Sequence, residues 1–163
     1  MSVLAAGTPA PGFSLARAAV GGVPADAPPF TERDLVGATT ILVLYPFAFS
    51  PVCTNQLQLY QEVLDEIRAN GAELYGVSCD SVYAQAAFAE KLGVTIPQLS
   101  DFEPKGATCR AFGVLRAGGF PERALVVIGP DAVVRWSYQA DSPGDLPGVN
   151  LLFDGLAAMV EPA

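Results

Sequence analysis

A cysteine at the start of a predicted helix is the residue of this sequence best placed for nucleophilic chemistry. Cys53 follows a loop, residues 45–52, that contains two prolines and a serine, and this loop follows the apolar run Thr39–Leu44. The run is typical of a buried strand, and residues 54–69, without Gly or Pro, have the periodicity of a helix. The first N–H groups of a helix lack partners inside it, and the helix dipole adds partial positive charge there. Both effects favour an anionic sulfur, the reactive form of cysteine.

A purely structural explanation of Cys53 is also open. Five residues with spacings of four, three, four and three fall on one stripe of a helix: Cys53, Leu57, Tyr60, Leu64 and Ile67. A cysteine on such a stripe is commonly a small buried hydrophobe. Periodicity alone favours this second interpretation.

The composition argues against several classes of function. The chain has no histidine, which removes Cys-His and Ser-His-Asp catalysis and every His-ligated metal site. Seventeen acidic and nine basic residues give a net charge of −8, which argues against nucleic acid or an anionic membrane as a partner. Three cysteines without a short metal-type spacing suit a reducing cytoplasm better than a disulfide framework.

The length and the hydropathy pattern predict one domain, residues 1–163. No apolar run is long enough for a transmembrane helix, and residues 1–4 lack the basic and apolar regions of a signal peptide. We therefore expect a cytoplasmic protein that does not bind a membrane.

The order of the predicted elements indicates an α/β fold. After the first strand and helix we expect a parallel strand at 73–79, a helix from Asp80 or Ser81 to Leu92 and a return to the sheet edge at 97–101. A short helix at 104–112, with Pro104 in its first position, should follow, and then a hairpin of strands 124–128 and 133–138. The last element is a helix at 146–160, with Gly148 and Gly155 as weak points. This order is that of a thioredoxin-like fold with an N-terminal extension, in which helices flank a central mixed sheet.

The loop before the helix carries a specific resemblance. Pro46, Ser50 and Cys53 form the pattern Pro-x-x-x-Ser-x-x-Cys, which resembles the active-site signature of the peroxiredoxins in its serine form. Four further segments resemble the same family, so that the similarity extends over about residues 7–140: residues 76–81, 99–101, 111–114 and 123–128. Segments 46–49 and 100–107 are most similar to the one-cysteine alkyl hydroperoxide reductase E-type subgroup.

The resemblance implies a thiol-dependent peroxidase that acts on hydrogen peroxide or organic hydroperoxides. It makes Cys53 the nucleophile, which is oxidised to a sulfenic acid, and Arg123 the active-site arginine. Ser50 would place its hydroxyl on the thiolate and the peroxide, and Pro46 would close the pocket. The resemblance also implies a homodimer and an external low-molecular-weight thiol or redoxin as reductant, with no metal or organic cofactor.

Several residues depart from the family pattern or leave alternatives open. Gln56 stands where many relatives carry glutamate, so that any contact to the arginine would be neutral, and Gln58 occupies a position that holds a second, resolving cysteine in some relatives. We expect Cys79 and Cys109 to be core thiols. A two-cysteine enzyme resolved by either of them, a peroxide sensor and a non-catalytic binding module remain alternatives. An apolar pocket wall of Phe47, Phe49 and Phe120 favours organic hydroperoxides.

Overall fold

The computed structural model describes residues 2–159, which form a mixed α/β structure. The strands are β1 (Ser14–Arg17), β2 (Phe30–Thr31), β3 (Thr39–Leu44), β4 (Ala72–Ser78), β5 (Gln98–Ser100), β6 (Ala124–Ile128) and β7 (Val134–Gln139). The helices are α1 (Pro51–Glu62), α2 (Leu64–Ala69), α3 (Val82–Leu92), α4 (Ala107–Ala111) and α5 (Val149–Ala157), with a 3₁₀ helix at Glu32–Leu35. None of the helices in this range combines the length and the apolar composition needed to cross a membrane.

The strands form one mixed sheet in the order β2-β1-β5-β4-β3-β6-β7. β3 pairs in parallel with β4 on one side and antiparallel with β6 on the other. β4 also pairs in parallel with β5, and the antiparallel strands β1 and β2 extend the sheet beyond β5. The predicted thioredoxin-like fold with an N-terminal extension is therefore confirmed. The predicted return to the sheet at 97–101 is confirmed by β5, which pairs with β4. Its expected place at the edge is wrong, because β1 pairs with β5 on the other side.

The register of β3 brings distant parts of the chain to one edge of the sheet. Leu44, the last residue of β3, is paired with Val77 on β4 and with Ala124, the first residue of β6. The loop that follows Leu44 and the residue that precedes Ala124, which is Arg123, therefore lie side by side. This pairing places Arg123 beside the loop that leads to Cys53.

The sheet separates two hydrophobic cores. Side chains alternate across a strand, and accordingly Ile41 and Val43 of β3 lie in one core while Leu42 and Leu44 lie in the other. The first core contains the buried side chains of α1, α2, α3 and α5, and the second contains those of α4 and the N-terminal segment. We call them the α1 core and the α4 core.

The long helix predicted at 54–69 is interrupted in the structure. α1 begins earlier than predicted, with Pro51 in its first position, and a break at Val63 separates it from α2. At the break, Val63 N–H donates to Tyr60 O in a tight turn. Because Val63 is neither Gly nor Pro, the sequence contained no signal for the interruption. The early start leaves Cys53 in the first helical turn, as predicted.

The short helix predicted at 104–112 begins later than expected. α4 starts at Ala107, and Pro104 lies in the preceding turn instead of at the first helical position. The carboxylate of Asp101 accepts hydrogen bonds from the N–H groups of Thr108 and Cys109, at 3.1 and 2.8 Å. This long-range cap fixes the start of α4, since Asp101 satisfies donors that have no partner within the helix.

The terminal helix differs from its prediction at 146–160. α5 spans Val149–Ala157, and Val160 lies outside the described residues. Gly155 is a packing requirement and not a weak point, because a β-carbon there would lie 2.8 Å from both Trp136 Cε3 and Val127 Cγ2. Glycine at this position lets α5 pack directly on the sheet.

Candidate active site

A tight loop connects β3 to α1 and positions the predicted nucleophile. Tyr45 N–H donates to Val77 O at 3.0 Å and continues the β3–β4 pairing past Leu44. Ala48 N–H donates to Asp80 Oδ2 at 2.8 Å, which holds the loop against the segment after β4. Phe49 has a φ of +67°, a conformation uncommon for a non-glycine residue. The following residue, Ser50, is extended and is the N-cap position of α1.

Cys53 is fully buried in the first turn of α1, where its sulfur accepts a hydrogen bond from a cation. Arg123 Nη2 lies 3.2 Å from Cys53 Sγ. The N–H groups of the first helical turn have no intrahelical acceptors. Ser50 does not cap α1, because its hydroxyl donates to Phe47 O at 2.9 Å. The dipole of the helix and the guanidinium therefore act together on one sulfur atom.

The guanidinium of Arg123 is buried and points at Cys53 through a fixed set of contacts. The residue is 2% exposed, Nε donates to Pro143 O at 2.9 Å, and Nη1 donates to Gln56 Oε1 at 2.5 Å. None of the ion pairs found within residues 2–159 includes Arg123. A buried charge is costly unless it is paired. Of the three groups that accept hydrogen bonds from this guanidinium, the sulfur of Cys53 is the one that can become an anion.

A hydrogen-bonded chain extends from Arg123 along α1. Gln56 Nε2 donates to Tyr60 Oη at 3.3 Å, and Tyr60 Oη donates to Pro147 O at 2.6 Å. Burial raises the pKa of Tyr60 to about 12, so that the phenol stays neutral and keeps its proton for Pro147. Sequence reasoning expected a neutral contact from Gln56 to the arginine, and the structure has it. From the sequence, Tyr60 is only a member of a buried stripe, although the spacing of Cys53, Gln56 and Tyr60 already places their side chains on one helix face.

Pro143 and Pro147 are contacts that the sequence did not indicate. Both contribute backbone carbonyls from the segment between β7 and α5. A carbonyl acceptor carries no residue-type signal, because every residue has one. Only the fold shows that this segment lies against Arg123 and against Tyr60 of α1.

The predicted site residues surround a shallow cavity beside Cys53. The cavity has a volume of about 290 Å³ and is lined by Pro46, Phe47, Ser50, Pro51, Val52, Phe120, Arg123, Pro143 and Gly144. Pro46 is buried and Ser50 is half-buried. The structure thus brings together all four residues that the sequence analysis singled out, with Cys53 behind the wall of the cavity. Ser50 Oγ is directed at Phe47 O and not at the sulfur.

Two of the three predicted aromatic residues form the apolar wall of this cavity. The rings of Phe47 and Phe120 lie 4.7 Å apart, centroid to centroid. The prediction was wrong for Phe49, whose ring packs on Phe88 at 5.1 Å, outside the set of lining residues. The positive φ of Phe49 turns its side chain away from the loop residues that face the cavity.

The other two cysteines lie on the opposite side of the sheet. Cys53 belongs to the α1 core, whereas Cys79 and Cys109 belong to the α4 core. Within residues 2–159, the one group of three acidic or cysteine side chains close enough to share a metal ion is Cys79, Asp101 and Cys109. Both carboxylate oxygens of Asp101 already accept backbone N–H groups.

Comparisons with known proteins place the chain in a family. The sequence profile of the AhpC/TSA family matches residues 6–137. The chain is 32% identical over 149 residues to alkyl hydroperoxide reductase E of Mycobacterium tuberculosis, covering 84% of this chain and 97% of that protein. It is 33% identical over 121 residues to a probable peroxiredoxin of Caenorhabditis elegans, covering 69% and 53% of the two chains. The crystal structure of Enterococcus faecalis AhpC superposes with a TM-score of 0.83 and 28% identity, covering 97% of this chain and 92% of that one.

Proposed function

Because the chain belongs to the AhpC/TSA family and is thus a peroxiredoxin, a thiol peroxidase, we propose that Cys53 is its nucleophile and that it works by a one-cysteine mechanism. The observation that carries the proposal is the contact of 3.2 Å between Arg123 Nη2 and Cys53 Sγ. This contact aims a buried guanidinium, which has no carboxylate partner within residues 2–159, at a thiol in the first turn of a helix. A cysteine that served only as a core hydrophobe would not need a buried cation beside it.

The reaction begins when the Cys53 thiolate attacks one oxygen of the peroxide along the O–O axis. The O–O bond breaks, Cys53 becomes a sulfenic acid, and the second oxygen leaves as water or an alcohol after it takes up a proton. A lower thiol pKa alone would give only a small net gain in the rate of attack, because a more acidic thiol is also a weaker nucleophile. The larger effect must come from donors that stabilise charge on the leaving oxygen, each worth about 10²–10³ in rate.

Arg123 is the residue that we propose for this stabilisation. A guanidinium is a planar fork with several N–H donors, so that it can contact the sulfur and a peroxide oxygen together. Its contacts to Gln56 and Pro143 hold the fork in place before the substrate arrives. Preorganised donors of this kind cost no reorganisation during the reaction.

Pro46 and Ser50 take supporting roles in the proposal. Pro46 is buried in the cavity wall, where it excludes water from the sulfur and offers no N–H group that would compete. Ser50 also lines the cavity, and its hydroxyl would bind the peroxide after rotation away from Phe47 O. The apolar faces of Phe47 and Phe120 suit the alkyl group of an organic hydroperoxide.

The second half of the cycle requires a thiol from outside the chain. A resolving cysteine must bring its Cα to within about 4.4–6.8 Å of that of the nucleophile. Cys79 and Cys109 are both in the α4 core, with the sheet between them and Cys53. Residue 58 is an exposed glutamine. We therefore assign the reduction of the Cys53 sulfenic acid to a low-molecular-weight thiol or a redoxin, reagents that are available in the cytoplasm.

The proposal also includes a homodimer. Phe47, Phe49 and Phe102 are large apolar side chains that are 47%, 50% and 54% exposed near the site. Exposed apolar residues that cluster on one face are typical of interaction surfaces. The molar mass in solution, measured by light scattering, tests this part of the proposal, and a monomer at cellular concentration would contradict it.

The decisive experiment is intact mass spectrometry after one equivalent of peroxide without reductant. We expect the wild-type protein to gain one oxygen atom at Cys53 and to form no internal disulfide. Excess peroxide should then produce the sulfinic acid. Cys53→Ser should lose rapid peroxide consumption, while Cys79→Ser should keep it. A loss of two hydrogen atoms, with Cys53 linked to Cys79 or Cys109 in a digest, would support the two-cysteine alternative instead.

A further inference from the structure

A second group of thiols lies in the α4 core and is not used by the chemistry at Cys53. Cys79 directly follows β4, Cys109 lies in α4, and Asp101 follows β5. The two sulfur atoms and a carboxylate oxygen of Asp101 all lie within 4.8 Å of one another. Two buried thiols at this separation are neighbours through tertiary structure, since they are 30 positions apart in the sequence.

Asp101 positions this pair of thiols and does not compete with them. Its Oδ2 accepts the N–H of Cys109 at 2.8 Å, and its Oδ1 accepts the N–H of Thr108 at 3.1 Å. The carboxylate therefore anchors the first turn of α4 beside the end of β5. Cys79 and Cys109 are the reactive members of the cluster, because peroxide oxidises thiols and not carboxylates.

A cavity gives small molecules access to one of the two thiols. It has a volume of about 290 Å³ and is lined by Pro46, Phe47, Cys79, Asp80, Ser81, Phe102, Lys105 and Gly119. Cys79 is 7% exposed and lines this cavity, whereas Cys109 is fully buried. Pro46 and Phe47 separate it from the cavity beside Cys53, so the two thiol sites open on opposite sides of one loop.

The two thiols differ in how readily they ionise. Hydrogen bonding with the Cys109 thiol lowers the pKa of Cys79. Burial and the negative charges of Asp101 and Asp80 oppose this effect, and the positive charge of Lys105 supports it. The same contact with Cys79, together with burial and the charge of Asp101, raises the pKa of Cys109. The accessible thiol is thus the one that ionises more easily, and the buried thiol keeps its proton.

We propose that Cys79 and Cys109 form a second peroxide-reactive site that closes to a disulfide. The Cys79 thiolate attacks one peroxide oxygen, the O–O bond breaks, and the other oxygen leaves with a proton as water or an alcohol. The Cys109 sulfur then attacks the sulfenic acid of Cys79, the S–O bond breaks, and the hydroxyl leaves as water with the proton of Cys109. In total, two thiols lose two protons and two electrons, and the peroxide gains them.

The second step becomes easier once the first has occurred. A sulfenic acid at Cys79 is neutral, so the negative charge that helped to hold the proton on Cys109 is gone. Bond formation requires the sulfur atoms to approach from within 4.8 Å to about 2.05 Å. Cys109 is held by the bond from its N–H to Asp101, whereas Cys79 lies outside β4, so Cys79 is the side of the pair that can adjust.

The second site should react more slowly than Cys53. The cation that lines its cavity is Lys105, an ammonium group on a flexible stem, and not a buried guanidinium fixed by other contacts. The absence of one preorganised donor corresponds to about 10²–10³ in rate. Cys53 therefore reacts first with one equivalent of peroxide, and the Cys79–Cys109 disulfide forms when peroxide is in excess.

The experiment uses the Cys53→Ser variant treated with a tenfold excess of hydrogen peroxide and followed by intact mass and peptide mapping. We expect a loss of two hydrogen atoms and a peptide that links Cys79 to Cys109, at a rate about 10²–10³ below that of Cys53 in the wild type. Wild-type protein in excess peroxide should give the same cross-link beside an oxidised Cys53. That measurement needs no substitution in the protein.

Matched double variants assign the two roles. Cys53→Ser with Cys109→Ser should trap a sulfenic acid at Cys79 that reacts with dimedone, whereas Cys53→Ser with Cys79→Ser should stay reduced over the same period. The proposal is overturned if the Cys53→Ser protein keeps its reduced mass, or if it carries a stoichiometric zinc ion that protects both thiols. A failure of the Cys53 assignment is distinguishable, because Cys53→Ser would then consume peroxide as rapidly as the wild type.

Discussion

The side chain of Arg123 links two separate segments of the chain through its three contacts. Gln56 and Cys53 come from α1, and Pro143 comes from the loop after β7. The two oxygen acceptors fix the plane of the guanidinium, and the sulfur completes the set. The arrangement therefore holds the guanidinium against the sulfur before any substrate binds.

At the level of single residues, we expect Arg123→Ala to slow the oxidation of Cys53 by peroxide about 10²–10³-fold. The measurement is the second-order rate constant at a high pH, where the thiol is ionised in both proteins. Under that condition, a difference reports the stabilisation of the transition state and not the fraction of thiolate. Arg123→Lys should recover only part of the rate, because an ammonium group lacks the planar fork.

Arg116→Ala is the matched control for this experiment. Arg116 lies over the ring of Phe120, at 5.5 Å from its centroid, and pairs with Glu122 at 2.8 Å, so that it is close to the same cavity without contacting Cys53. Its replacement should change the rate by less than about threefold, as expected for a partly exposed ion pair at the surface. Equal rates for the Arg123 variant and the wild type at high pH would show that Arg123 does not act on the transition state.

At the level of elements, Tyr60 fastens α1 to the segment that enters α5. Its hydroxyl donates to Pro147 O at 2.6 Å and accepts from Gln56 Nε2 at 3.3 Å. The side chain is fully buried. Tyr60 therefore holds Gln56 in place, and Gln56 in turn holds Arg123. The ring of Tyr60 is also part of the α1 core.

We expect Tyr60→Phe to lower the free energy of unfolding at neutral pH by about 1–3 kcal/mol, because Pro147 O and Gln56 Nε2 lose a buried partner. The free energy of unfolding of the variant should also depend less on pH in the alkaline range. The pKa of Tyr60 is raised to about 12 in the folded protein, and an unfolded tyrosine ionises at about 10. The neutral phenol therefore stabilises the fold fully below pH about 10, and this contribution is lost as the pH rises through about 12.

Urea unfolding at neutral pH and at two alkaline values measures this effect. Burial raises the pKa of Tyr45 and Tyr75 as well, so the wild type and the variant should both lose stability in alkali. The difference between the two proteins isolates Tyr60 and should shrink as the pH increases. A difference that stays constant with pH would mean that the ionisation of Tyr60 is not linked to folding.

At the level of the whole molecule, the two cores share a single sheet. β3 and β6 each contribute alternate side chains to the α1 core and to the α4 core. Neither core can lose its packing without exposing strands on which the other depends. We therefore propose that residues 1–163 fold as one domain.

This proposal predicts one cooperative unfolding transition in reducing buffer. Fluorescence of Trp136, the single tryptophan of the sequence, reports on β7, and far-ultraviolet circular dichroism reports on the helices. The two signals should give the same urea midpoint. Two separate midpoints would show that the α1 and α4 cores unfold independently.

Most of the sheet was predictable, because its strands carry local signals. β3 is a continuous apolar run, and β6 and β7 are separated by a turn with the residues Gly129 and Pro130. The break at Val63 and the late start of α4 were not predictable. The break lies at a tight turn in which Val63 N–H donates to Tyr60 O, without a glycine or proline to mark it. The start of α4 depends on the N–H of Cys109, which donates to Asp101, a contact made by tertiary structure.

The site was predictable only in part. The spacing of Pro46, Ser50 and Cys53 lies within eight residues and is visible in the sequence. The position of Arg123 followed from resemblance, since 70 residues separate it from Cys53 and only the pairing of β3 with β6 brings them together. The carbonyls of Pro143 and Pro147 left no trace in the sequence, because any residue could provide them.

The charge of the buried pocket changes during the proposed cycle. A thiolate at Cys53 neutralises Arg123, but a neutral sulfenic acid does not, and the guanidinium then faces only the carbonyl groups of Gln56 and Pro143. An uncompensated buried cation is costly, so oxidised protein should melt at a lower temperature than reduced protein. The thiolate of an incoming reductant would restore electroneutrality at the moment it arrives. Oxidation of Cys53 thus replaces a pocket that contains a thiolate with one that favours the binding of an external thiolate. The peroxide therefore reacts first and the reductant binds second.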